Sequence, residues 1–222
     1  MGYQLDFGAL VQYFGLFLEG TAVTIGLTAV ASLIGIALGI AGAAAARGKY
    51  VWLKRAIALY VELIRNTPFI VQMFFIFFGL PSLGLRLTAL QAAALAMTIN
   101  LAAYAIEIIR AGLEAVPPGQ SEAGRSLGLH AVPIFGLIVL PQALANVYPA
   151  LVGQITITML ESAVVSQIAV VDLTHVADFI QSRNFRSFET YFIITLIYLA
   201  LAVLMRRMLV YGGRGLFAGR AR

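Results

Sequence analysis

The sequence predicts an all-α membrane protein of five transmembrane helices, and three observations carry that prediction. First, 61% of the 222 residues are hydrophobic and only 11% are charged, where a typical soluble domain is roughly a quarter charged. A soluble chain of this length could bury a core, but its surface would need far more polar residues. Second, apolar stretches recur at about 20 residues, the length that spans about 30 Å of hydrocarbon as a helix. Third, Lys and Arg are divided unequally between alternate connections. Helices are the default because backbone groups in lipid must be paired within the segment, and the alternating ten-residue strands of a β-barrel are absent.

The first stretch, Thr21 to Ala46, contains no charge. The second covers about Ala56 to Leu80, with Glu62 and Arg65 near its start. The third covers about Thr88 to Ile109. The fourth covers about Ile134 to Val165 and is interrupted by Pro141 and Pro149. The fifth runs from Thr190 to Met205. Residues 1–20 form an external lead-in, 21–210 the transmembrane domain with a connecting loop at about 112–133, and 211–222 a basic cytoplasmic tail. Within the lead-in, Leu5 to Leu18 is apolar with Asp6 at its head. It reads equally as a helix lying in the outer interface or as an ordered approach to the first span. Asp6 and Glu19 are the only charges in the first twenty residues, so the basic start of a secretory signal is not expected.

Basic residues set the orientation. Arg47, Lys49, Lys54 and Arg55, then Arg110 and Arg125, then Arg206, Arg207, Arg214, Arg220 and Arg222 place eleven cations on one side. Arg86, Arg183 and Arg186 place three on the other, and Arg65 sits at a membrane entry. This predicts an external N-terminus and a cytoplasmic C-terminus, a parity that five crossings satisfy. It also accounts for the net charge of +5 without nucleic acid. The chain has no cysteine, which excludes disulfides and thiolate chemistry. There is no repeat of 20–50 residues. In the first span Ala31, Gly35, Gly39 and Ala43 recur every four residues, a small-residue stripe that lets helices approach closely. Ala92 and Ala96 repeat the relation in the third.

Between the third and fourth spans, Pro117 and Pro118 stop a helix and Gly119 permits a turn. Ser121 is placed to cap a short new helix containing Glu122, Ala123, Gly124, Arg125 and Ser126, which Gly128 ends. Such a helix is suited either to a partner's cleft or to a simple turn. The run Gly119-Gln120-Ser121-Glu122-Ala123, then Gly128, then Ile138-Val139-Leu140-Pro141, resembles the EAA motif of ATP-binding-cassette importer permeases. Tyr104, Glu107, Arg110 and Ala111-Gly112 resemble the polar amino-acid branch of that family, the histidine, glutamine, arginine and glutamate permeases. So do Glu62 to Pro68 (ELIRNTP) and Phe77 to Pro81 (FFGLP). The likeness runs from about Thr21 to Tyr198.

This resemblance implies a type I, MetI-like fold in a bacterial inner membrane. The short cytoplasmic helix would couple two ATP-binding-cassette subunits to the spans through residues 119–126 and Gly128. A second permease, the same or a sister chain, would complete the pathway, and an external binding protein would deliver a polar amino acid. The resemblance implies no cofactor and no metal. Two departures stand out: the usual alanine pair is Ala123-Gly124, and a Lys-Asp-Thr-Ser-Leu-like segment of many relatives is Leu160-Glu161-Ser162-Ala163-Val164 here. No G-x-x-x-x-G-K-[ST] phosphate loop occurs, so ATP hydrolysis is assigned to a partner and the chain is not itself an enzyme.

Ionisable and polar groups inside spans are expensive unless paired or wet. Glu161 lies about 18 Å along a helix from Pro149 at 1.5 Å per residue. Gln154, Thr158 and Glu161 share a helix face. That face, with Ser162, is expected to line the substrate path, with Glu161 meeting an amino group. The alternatives are neutralisation of Glu161 by a partner such as Arg65, or a place at the outer surface. Asn100 and Gln72 either touch substrate or hydrogen-bond between helices. Glu62 and Arg65 are expected to pair and to fix the end of the second span, and Glu107 and Arg110 likewise. Ile168 to Arg186 forms an external helical surface for the binding protein, or a lid between spans. His130 and His175 have no neighbour at metal-ligand spacing. A secondary transporter or channel working without an ATPase would need its own coupling-ion site and usually an inverted repeat. A membrane-embedded enzyme would need a nucleophile–base pair or a metal cluster.

Overall fold

The structure, a computed structural model, describes residues 4–216. The predicted tail residues Arg220 and Arg222 lie outside the described residues. Among those described, regular structure is entirely helical. Four helical stretches are long and apolar enough to cross a membrane, and a bent pair of helices makes a fifth if counted as one span.

A 3-10 turn over Gly8–Tyr13 leads into α1, Phe14–Ala46. The helix starts at Phe14, not Thr21, and the chain at Leu5 to Leu18 is divided between the 3-10 turn and the first turn of α1. The small-residue stripe faces α4, Ala89–Glu114. Ala31 and Ala43 are fully buried. A Cβ on Gly39 would lie 2.5 Å from Ala105 Cβ, and one on Gly35 would lie 3.1 Å from Leu101 Cγ. Residue numbers on the two helices rise together along this contact, so α1 and α4 run parallel with backbones in near contact, as small residues permit.

The second predicted span is not continuous. α2, Val51–Arg65, and α3, Phe69–Phe74, meet at a bend of 109°. Pro68 causes it: proline supplies no N–H and drives Thr67 out of the helical region. α2 alone would reach about 22 Å at 1.5 Å per residue, short of a hydrocarbon core. α3 continues through a π turn at Phe75–Gly79 and a 3-10 turn at Leu80–Leu83. α4 then opens on a reciprocal cap in which Thr88 and Gln91 each accept a backbone N–H from the other.

The short helix α5 is Pro118–Ser126 and α6 is a single turn, Ala131–Pro133. A π turn at Ile134–Val139 feeds α7, Leu140–Glu161, which ends in a 3-10 turn at Ser162–Ile168. Both π turns sit just before a proline, Pro81 and Pro141. A wider turn lets the carbonyl that proline cannot serve reach the next N–H instead. α8, Leu173–Asn184, and α9, Ser187–Leu216, complete the chain.

α7 crosses α4 where a Cβ on Gly112 would lie 2.7 Å from the Ala143 carbonyl. Tyr148 on α7 donates to the Leu209 carbonyl on α9 at 2.6 Å, and its ring lies against Gly213. Arg47 donates to the Leu113 carbonyl at 2.9 Å. The α1–α2 connection, the α4–α7 connection and the far end of α9 therefore gather at one end of the bundle. At the other end α8 packs on α1, where a Cβ on Gly20 would lie 2.9 Å from Leu173 Cα, around Leu10, Phe17, Val176 and Ile180.

Candidate functional site

The predicted path residues lie on α3, α4 and the second half of α7. Gln154 and Thr158 are buried, Ser162 is fully buried and Glu161 is partly exposed. Glu161 ends α7 where the chain tightens into the 3-10 turn. Ser162 Oγ donates to the Met159 carbonyl at 2.7 Å. Thr158 Oγ1 is buried without a hydrogen-bond partner, although a helical threonine can ordinarily donate to the preceding turn. Glu161 makes no ion pair among the described residues. Arg65, the partner considered from sequence, is elsewhere: its guanidinium lies 3.8 Å from Glu107 and over the Tyr104 ring at 5.5 Å.

Gln72 and Asn100 are brought together. Asn100 Nδ2 donates to Gln72 Oε1 at 3.0 Å. Gln72 Nε2 reaches the carbonyls of Ile64 at 2.7 Å and Thr67 at 2.9 Å, and Thr67 Oγ1 at 2.8 Å. Those carbonyls belong to the α2–α3 break, so one amide satisfies groups that Pro68 leaves without helical donors. Asn100 Oδ1 keeps no partner.

The short helix forms with its outward face bare. Gln120, Glu122, Ala123, Arg125 and Ser126 are exposed, and Gly124 alone is buried. Ser121 does not cap it. The helix begins at Pro118, which is pre-set for the first turn and has no N–H to satisfy, so Ser121 falls inside. Gly128 ends it in the left-handed region, φ 77°, with Leu129 N–H on the Gly124 carbonyl at 3.1 Å and Gly128 N–H on the Arg125 carbonyl at 2.9 Å. A Cβ on Gly124 would lie 2.9 Å from Ile134 Cγ1 and 3.1 Å from Ile138 Cδ1. Glycine where alanine is usual lets α5 sit flat on the π turn before α7. Gln142 Nε2 adds a bond to Gln120 Oε1 at 3.2 Å.

Glu62 and Arg65 do not pair. Arg65 joins α2 to α4 through Glu107, and Glu107 also binds Arg110, which reaches Glu114 at 2.6 Å. The expected Glu107–Arg110 pair is present; for Arg65, α4 offers the nearer carboxylate.

At the opposite end, two fully buried carboxylates escape sequence reasoning. Asp172 caps α8 by accepting His175 N–H at 2.9 Å and bonds the Tyr198 hydroxyl at 3.2 Å. Burial holds its carboxyl above the usual aspartate range, while the backbone N–H groups and Tyr198 pull it back. Glu189 accepts from Asp6 N–H and from Arg186, each at 3.0 Å, and Arg186 lies 3.4 Å from Asp6. The only local signal was the spacing of Asp172 before a helical run. His130 and His175 join no cluster that could hold a metal among the described residues.

Long apolar helices surround buried polar groups, and one short bare helix follows α4 and precedes α7 in the chain, the make-up of a protein that spans a membrane. The sequence profile described as "binding-protein-dependent transport system inner membrane component" matches residues 35–216, and the chain belongs to that family. It is 33% identical over 205 residues to the arginine transport system permease protein ArtQ of Bacillus subtilis (strain 168), covering 90% of this chain and 92% of the relative. It is 34% identical over 199 residues to the probable glutamine ABC transporter permease protein GlnM of the same organism, with the same coverage of 90% and 92%. A crystal structure of an amino acid ABC transporter with histidines superposes with a TM-score of 0.86 at 39% identity, over 96% of this chain and 99% of that one. The MetNI methionine ABC transporter, in inward-facing conformations, superposes at 0.74 with 21% identity over 96% and 99%, a likeness of fold.

Proposed function

We infer that this chain is the transmembrane permease subunit of an ATP-binding-cassette importer that translocates a polar amino acid across the bacterial inner membrane. The observation that carries the reading is the bare helix α5 in a chain of this family. Two ATPase subunits take that helix in their clefts through Gly119 to Arg125 and the Gly128 terminus, and their hydrolysis drives transport. A second permease, the same or a sister chain, completes the pathway. An external binding protein delivers the substrate to the α8 end. The excess of cations at the α5 end makes that end cytoplasmic. Residues 112–133 form the coupling loop on that side, which α9 also reaches, and the N-terminal segment lies outside.

The path runs along Gln154, Thr158, Glu161 and Ser162, with Asn100 and Gln72 across from them. Thr158 Oγ1 and Asn100 Oδ1 support this, since each is a buried oxygen without a partner, the hydroxyl able to donate or accept and the amide oxygen able to accept from a passing solute. Glu161 meets the substrate ammonium. Coupling follows from a two-state element biased at both sites: ATP binding moves α5, and α5 moves the π turn and α7 through Gly124.

The test is uptake in proteoliposomes with the ATPase and binding protein present. ATP-dependent accumulation of an amino acid is expected. Uptake at the same rate without nucleotide would instead favour the secondary transporter or channel.

A further inference from the structure

α2 exposes both an apolar face and a charged edge. Trp52, Leu59 and Leu63 are exposed at 69%, 60% and 56% and share one face at helical spacing. An exposed polar edge carries Lys54, Ala58, Glu62 and Arg65, beside the face on which Val61 is buried and Tyr60 donates to the Ile99 carbonyl of α4. Between the two helices lies a cavity of about 540 Å³ lined by that edge together with Tyr104, Glu107 and Arg110. The volume falls within the range of small-molecule sites. A charged edge along an open cleft between two helices makes a wet site on the side of the bundle.

The charges at this site are unevenly satisfied. Glu107 is shared by Arg65 and Arg110, and Arg110 also holds Glu114. Arg65 is 3.8 Å from its carboxylate, beyond hydrogen-bond length, so its donors remain open. The Glu62 carboxylate and the Lys54 ammonium form no ion pair among the described residues. Glu62 and Arg65 are separated by about 4.5 Å of helix rise. They line one cavity and yet do not close on each other. Unlike charges held about a turn apart around open space match a molecule that carries both signs on adjacent atoms.

We propose that the cavity between α2 and α4 is a second amino-acid site, with the ligand's ammonium on Glu62 and its carboxylate on Arg65. The remaining wall, with Ala46, Ile57, Ala58 and Ile106, takes the side chain, and Lys54 stands at the far end. The site is separate from the Glu161 face, where no basic side chain meets the acid. The inference rests on the chain's being an amino-acid permease. It adds a place near the α5 end where solute is held after the path, or is captured from that side.

The test uses the assembled transporter, purified with its ATPase subunit in nanodiscs and without the external binding protein. Binding of a radiolabelled panel of the proteinogenic L-amino acids is measured directly. The expected result is saturable binding of at least one, which the corresponding amino-acid amide, lacking the carboxylate, does not displace. Glu62→Gln should weaken it by at least about tenfold, the loss of one charge-assisted contact. Ala58→Leu, which places bulk in the cavity from an exposed position, should abolish it. Absence of binding by every member of the panel, or wild-type binding in both Glu62→Gln and Ala58→Leu, overturns the proposal. If Glu62→Gln weakens binding while Glu161→Gln leaves uptake unchanged, this site stands and the Glu161 path falls.

Discussion

Replacing Gln72 by Leu keeps its size and removes its amide. The two N–H donors of the amide, shared among the Ile64 carbonyl, the Thr67 carbonyl and Thr67 Oγ1, are lost with the bond received from Asn100. Thr67 is exposed and its hydroxyl keeps the Leu63 carbonyl at 2.8 Å, so water and that bond absorb part of the change. Asn100 is 3% exposed and its Oδ1 already lacks a partner, so its whole amide is orphaned. The Ile64 carbonyl at the break loses its shortest bond but keeps Thr67 Oγ1 at 3.4 Å and Thr67 N–H at 3.5 Å. A buried group left unsatisfied costs about 1–3 kcal/mol in water-soluble proteins, and interhelical bonds within membranes run nearer 1 kcal/mol. The one group so orphaned, Asn100, gives a loss of about 1–3 kcal/mol. The double variant Gln72→Leu/Asn100→Leu removes both partners and should recover at least about half of it, since an apolar pair leaves no orphan. The assay is reversible SDS unfolding of the reconstituted permease, read for wild type, both single variants and the double. A Gln72→Leu variant within about 0.5 kcal/mol of wild type, or a double variant no more stable than either single one, would refute the reasoning. Uptake by the double variant separates bracing from substrate contact: activity near wild type assigns the pair to the α2–α3 break, and loss of uptake with restored stability assigns it to the path.

Glu122→Arg should leave the protein in the membrane and ATP hydrolysis measurable while uptake falls at least about tenfold, checked by parallel hydrolysis and transport assays. Glu161→Gln and Glu161→Ala should both reduce uptake, and wild-type rates in both would remove Glu161 from the path. Gly39→Leu should destabilise by about 1–3 kcal/mol or more through overpacking, because the Cβ already meets α4 backbone; equilibrium unfolding reads it. Asp172 has a raised carboxyl pKa through burial, so the folded state holds its proton more tightly than the unfolded chain. Its contribution is fully present below the ordinary aspartate value and is lost as pH rises through the raised one. Hydrogen exchange in α8 should therefore show protection falling as pH rises through that window, after correction for intrinsic rates. Asp172→Asn should abolish the dependence.

Much of the fold was legible because its causes are local. Hydropathy marks the long helices, Gly128 marks a stop, and Pro117-Pro118 frame α5. The second span misled because hydropathy is blind to direction: Ala56 to Leu80 is apolar enough to cross, but Asn66-Thr67-Pro68 turns the chain. Ser121 looked like a cap because its side chain can be one, while Pro118 already satisfied the need. The candidate path was legible as a list of polar residues in apolar stretches. Its hydrogen bonding was not, since Gln72 and Asn100 meet only through the crossing of α3 and α4.

Sequence alone determined that this chain lives in a membrane, which connections gather the cations, and that a short glycine-ended helix interrupts the long ones. These follow from transfer free energies and from backbone geometry that each residue carries with it. Tertiary structure alone decided which side chains face one another. It decided that Arg65 leaves Glu62 for Glu107, that Gly124 is needed because two isoleucines lie against it, and that the charged edge of α2 borders a cavity against α4. A helix sets the spacing of its residues, but the partner each one meets depends on the angle at which another helix crosses.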